Sequence, residues 1–175
     1  MDAEVRSALI AEATRKAGLI WVRPAGETRA RGVWHVWRDD AAGGPAAYVV
    51  HGGGEQTFPW PLDGPVTVLT RSKETGARLV AWTAEPSRVR PEDPDWEPTV
   101  TALAAARLNA PDHATMTERW ARESEVVRLA PTGEVTEAPG AESRESHAAA
   151  PVPSPATTVD RKPFMVGARN RPADR

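Results

Sequence analysis

Gly32-Val-Trp-His-Val-Trp-Arg38, Ala46-Ala-Tyr-Val-Val-His51, Pro65-Val-Thr-Val-Leu-Thr-Arg71 and Arg78-Leu-Val-Ala-Trp-Thr83 are short runs rich in β-branched and aromatic residues. Gly, Pro, Asp and Ser clusters separate them, which is the signature of consecutive strands joined by turns. Side chains alternate across a strand, so Trp34 and Val36 point one way while Val33, His35 and Trp37 point the other. Both faces of this strand are therefore apolar. Such a strand either lines a closed barrel and also meets a second body outside it, be it a helix, a second subunit or a flat aromatic ligand, or sits between two layers.

Working outward, Asp2 to Ala17 reads as a helix, with Asp2 capping its start and Gly18 placed for a left-handed turn at its end. Val5, Leu9 and Ala13 recur every four residues and form its apolar stripe. Leu19-Ile-Trp-Val22 and the Pro24-Ala-Gly-Glu27 turn predict a hairpin. Downstream, Pro91 to Asn109 is a second helix with Trp96, Val100, Leu103 and Arg107 on one face. Thr115 to Glu123 is a third, with Met116 and Trp120 a turn apart, and Val126 to Ala130 is a closing strand. The regular domain is expected to span 1–133. From Glu134 to Arg175 the chain is mostly Ala, Pro, Glu, Ser and Thr, a composition that buries too little to offset its ordering entropy and predicts disorder. Its end, from Arg161 to Arg175, sets Phe164, Met165 and Val166 among basic residues, and is either an inert tail or a docking segment for a protein partner.

The chain has 175 residues, no Cys and a formal charge of −2. The missing thiols exclude disulfides, thiolate zinc sites and cysteine nucleophiles. The near-neutral charge offers no general attraction to nucleic acid or to an anionic membrane. With no apolar run long enough to span a bilayer, a soluble cytoplasmic protein is expected. His35 and His51 lack an obvious third ligand for zinc, and no GxSxG elbow is present. Any redox chemistry must come with a cofactor.

Three places offer binding chemistry. Gly52-Gly-Gly54 either brings backbone amides close to a ligand or is a plain hairpin connection. Trp60, held between Pro59 and Pro61, is a lid or a packing plug. Arg71, Ser72, Lys73 and Arg78 surround one turn and either bind a phosphate or form a solvated loop.

The order of helix, His-Val-Trp strand, Tyr-Val-Val strand, loop, Val-Thr-Val strand ending in a cation, strand and helix resembles the flavin-binding split barrel of the pyridoxamine 5'-phosphate oxidase-like proteins. Ala47-Tyr-Val-Val-His-Gly-Gly-Gly54 with Pro59-Trp60 downstream is also similar to the deazaflavin-dependent branch. The resemblance covers roughly residues 19–130. It implies a mainly β, six-stranded antiparallel Greek-key barrel with flanking helices. It also implies a homodimer that holds FMN or F420 at its interface and transfers hydride to a small-molecule substrate. On that pattern Tyr48, His51, Gly52, Gly53 and Gly54 line the ring system. Trp37 or Trp60 stacks on it, and Arg71, Ser72 and Lys73, with Arg78 beside them, take the phosphate. The chain departs from the pattern where family members place cations after the Tyr-Val-Val strand, because Glu55 stands there. The alternative is a non-catalytic dimeric split-barrel module that docks a partner through its tail.

Overall fold

The computed structural model describes residues 1–140. The tail beyond, with the expected docking segment from Arg161 to Arg175, lies outside the described residues.

Asp2 caps the first helix by accepting the Val5 N–H at 2.8 Å, and α1 runs Ala3–Lys16. Its buried stripe is Ile10, Ala13 and Thr14 rather than Val5, Leu9 and Ala13, because Val5 faces solvent, half exposed. Gly18 takes no left-handed turn; the helix ends instead at an extended Ala17.

β1 (Ile20–Pro24) turns back into β2 (Arg31–Val33). β3 (Val36–Arg38), β4 (Ala46–His51), β5 (Val66–Arg71) and β6 (Arg78–Val89) follow, then α2 (Trp96–Ala106), α3 (Met116–Glu123) and β7 (Glu125–Glu137). The single antiparallel sheet has seven strands in the order β2-β1-β5-β6-β7-β4-β3. The sequence predicts six. The extra strand arises because the run from Gly32 to Arg38 changes partner midway: β2 pairs with β1, and β3 pairs with β4.

This change of partner closes the curl. β2 and β3 are opposite edges of the sheet, yet Val33 and Val36 are separated by three peptide steps, at most ~11 Å. The sheet must therefore roll until its edges meet. At the break, Gln56 stands in for a neighbouring strand. Its side-chain oxygen accepts the Trp34 N–H at 2.8 Å, and its amide donates to the Trp34 and Val50 carbonyls at 2.9 and 3.1 Å.

Alternation along each strand divides the apolar residues into two cores. Ile20, Val22, Val33, Val49, Val68, Trp82 and Leu129 fill the concave side, where Ile10 and Ala13 of α1 and Phe58 join them. Tyr48, Val50 and Val126 face outward against Trp96, Val100 and Leu103 of α2 and Met116 and Trp120 of α3. The second body expected beyond the two-faced strand is thus a pair of helices. β7 continues to Glu137, past the expected domain end at 133, because Val135 pairs with Trp82 and Glu137 with Ala81 on β6.

Candidate functional site

Arg71 ends β5 and Arg78 opens β6, cross-strand partners at a bulge after Thr70. Between them the turn is tied by the Ser72 N–H to the Ala77 carbonyl at 2.8 Å and the Gly76 N–H to the Ser72 carbonyl at 3.0 Å. The Ser72 hydroxyl oxygen accepts the Glu74 and Thr75 N–H groups, both at 3.2 Å, leaving its own O–H free to donate. Arg71 lies over the Trp21 ring at 5.4 Å. Lys73 runs past Gly18, where an added Cβ would stand 3.3 Å from Lys73 Cε.

These residues and Lys16, from the last turn of α1, line a cleft of about 390 Å³ floored by Leu79. Lys16 pairs with Glu12 at 2.7 Å, whereas no carboxylate pairs with Arg71 or Lys73 among the described residues. Glu74 also borders the cleft. Arg78 turns away and pairs with Glu137, so the cleft's third cation is Lys16. Sequence reasoning missed Lys16 because it belongs to another element; its one signal was a basic residue in a helix's last turn.

Trp37 occupies a different place. Its ring meets Trp82 edge-on, centroids 6.4 Å apart at 89°, and its indole N–H donates to Asp39 at 2.8 Å. With Ser7, Ile10 and Ala11 of α1 and Thr132 of β7 it lines an apolar cleft of about 310 Å³. Ala11 and Lys16 are five residues apart, about 140° around the helix, so α1 stands between this cleft and the basic one.

The other expected ring contacts are engaged internally. Tyr48 is fully buried and its hydroxyl donates to Asp95 at 3.1 Å; burial and the Asp95 charge push its pKa up. His51 sits by Phe58, ring centroids 5.6 Å apart, its Nε2 buried without a partner. Burial holds it below the usual histidine range, with Glu125 opposing. Gly52, Gly53 and Gly54 all have positive φ and pack against the end of α3, where Ser124 donates to the Gly52 carbonyl at 3.2 Å and Arg119 to that of Gly53. Glu55 does not lie free to repel an anion. It is buried and accepts from Arg107, Arg119 and the Trp120 indole at 2.8, 2.9 and 3.1 Å. Burial pushes this carboxyl up, but these donors outweigh it and hold it low. Trp60 packs on the concave core with Leu62 and borders a groove by the β1–β2 turn.

Topology separates these groups further. β4, β7, β6 and β5 are successive antiparallel neighbours, so the ends of β4 and β5 point opposite ways. His51 and the glycines lie at one end, Arg71 to Lys73 at the other, with the 12 residues of β6 between them, ~40 Å of strand contour. One chain therefore brings Arg71, Ser72 and Lys73 together and does not join them to Tyr48, His51, Gly52–Gly54, Trp37 or Trp60. Among the described residues no group of three His, Asp or Glu is spaced to hold a metal, and no helix is long and apolar enough to cross a membrane.

No family model and no curated protein matches the chain. Its likeness is to solved structures. The heme storage protein HutZ of Vibrio cholerae is 13% identical with a TM-score of 0.50, the match covering 77% of this chain and 94% of that one. A conserved protein of Corynebacterium diphtheriae is 16% identical, also with a TM-score of 0.50, over 77% and 91%. At such identity the likeness is one of fold: this chain is a mainly antiparallel, curled split barrel with three flanking helices.

Proposed function

We propose that this chain binds a planar anionic cofactor of the flavin or deazaflavin class, FMN or F420, and grips its phosphate in the Lys16–Arg71–Ser72–Lys73 cleft. The carrying observation is the convergence of three cations and a free hydroxyl donor from two elements on one cleft, two of those cations lacking a carboxylate partner among the described residues. A phosphate ester there meets charge and donors together. The phosphate end fits these residues. The ring's expected contacts do not gather within one chain, so the ring belongs at a surface shared with a second copy. Trp21, part-exposed on β1 beneath Arg71, adjoins the cleft and marks the face we assign to that copy. The cofactor, once bound, supplies the hydride chemistry of an oxidoreductase acting on a small molecule; the chain supplies the anion grip.

Titration of FMN and F420 fluorescence with the wild type and with the Arg71→Ala/Lys73→Ala double variant tests this reading. Charge-assisted contacts contribute about 1.5–3 kcal/mol each, less for exposed cations. The variant is therefore expected to bind about tenfold or more weakly. Equal affinity in a folded variant would remove these residues from the site.

A second reading is favoured by the internal engagement of Tyr48 and Gly52–Gly54: a non-catalytic dimeric module that docks a partner through residues 161–175. It is tested by a pulldown with the peptide of residues 161–175, and recovery of nothing above a scrambled control counts against it.

A further inference from the structure

His35 sits at the switch from β2 to β3, and its Nε2 lies 2.9 Å from the Thr14 carbonyl in the last turns of α1. In the neutral ring that nitrogen carries the proton and donates, which leaves Nδ1 as a bare lone pair. Nδ1 is buried with no partner, and so is the Thr14 hydroxyl beside this contact. α1 contributes an uncharged carbonyl here; the charged group that reaches the ring is Lys73, from the turn after β5. No carboxylate among the described residues compensates it.

We propose that His35 makes the docking of α1 pH-sensitive: the helix holds to the sheet through a neutral imidazole, and protonation of that imidazole releases its C-terminal half. A second ring proton would face no acceptor, would place charge on a nitrogen closed to water in a part-buried ring, and would stand near the Lys73 ammonium. Each of these disfavours the docked, protonated state. Once the helix lifts, water reaches Nδ1, accepts the second proton's hydrogen bond and screens the Lys73 charge, which stays on its turn. The helix is the part able to yield, because Ile10 is the one large side chain it buries fully and the Arg15–Asp39 ion pair that ties it to the segment after β3 is exposed. Release carries Lys16 out of the basic cleft and uncovers Trp37, so both clefts open together.

Burial holds the docked His35 below its ordinary 6.5, with the Thr14 carbonyl opposing and Lys73 adding. The sign follows. Docking is at full strength above the ordinary value of 6.5 and is lost as pH falls from there toward the lowered docked value. Within that window one proton shifts the equilibrium toward release by at most about tenfold per pH unit.

The chain has no Cys, so Glu4→Cys on the exposed first turn of α1 accepts a single fluorophore. Its anisotropy is followed as pH is lowered, with circular dichroism of the sheet on the same samples. The expected result is a fall in anisotropy below the ordinary histidine value while the sheet signal holds. His35→Gln, which keeps a donor toward Thr14 and cannot gain the charge, abolishes the fall. Lys73→Gln moves it to lower pH, since losing the ammonium makes the docked proton easier to bear. His51→Gln, altered at the far end of the sheet, leaves it in place. No fall in the otherwise native chain, or the same fall in His35→Gln, overturns the proposal. If His35→Gln does not fold, an unshifted fall in Lys73→Gln overturns it. The readout needs no ligand, so it stands or fails independently of cofactor binding.

Discussion

Gly53 has φ +54°, and a Cβ added to it would stand 2.6 Å from Ser124 Oγ and 2.7 Å from the Glu123 carbonyl oxygen. That is a backbone collision as well as a left-handed conformation. Gly53→Ala is therefore expected to cost about 1–3 kcal/mol in a urea unfolding experiment. Gly26→Ala, also at positive φ but with nothing within 4 Å, should cost less than that. Equal costs would show that the turn shifts freely away from α3. The sequence shows three glycines in a row and leaves their use open, because the atoms that demand them belong to residues far along the chain. Glu55 is misread for the same reason. Beside a glycine turn it looks like a free charge, but Arg107 and Arg119 reach it from α2 and α3 and make it a buried tie between the loop and the helices. The Asp2 cap was legible because its partner is three residues away.

Elements are readable where their pattern is local, and the run from Gly32 to Arg38 marks the limit. Its alternation predicts apolar groups on both faces, and both faces are packed. The break at Trp34 and His35 leaves that alternation unchanged and alters only which strand takes the hydrogen bonds, so nothing in the run reveals it. Gln56 makes the break tolerable by bonding both backbone groups of Trp34 and the Val50 carbonyl. Gln56→Ala would leave these part-buried groups without partners, at about 1–3 kcal/mol. Amide exchange at Trp34 should rise with the loss of stability. Unchanged exchange at that amide would mean that water or backbone already satisfies it. The end of β7 was missed for a related reason: Val135 and Glu137 lie in a stretch too poor in apolar residues to suggest a strand, and they are ordered by β6, which supplies Trp82 as a partner and Arg78 as a counter-charge.

At the scale of the molecule, the barrel class was legible and the site was only partly so. Arg71, Ser72 and Lys73 are adjacent in sequence and stay together in space. Tyr48, His51 and the glycines are joined to them only by family pattern, and strand direction carries them to the opposite end of the sheet. Lys16 completes the basic cleft because α1 ends there, a juxtaposition that no local signal announces. Retention of a chromophore shows whether this cleft anchors a planar anionic cofactor. The protein is incubated separately with FMN, F420 and hemin, desalted, and scanned across the near-ultraviolet and visible. FMN or F420 is expected to stay with the wild type in near-stoichiometric amount and to be lost from the Arg71→Ala/Lys73→Ala variant. Retention of neither, or of hemin alone, would contradict this anchoring.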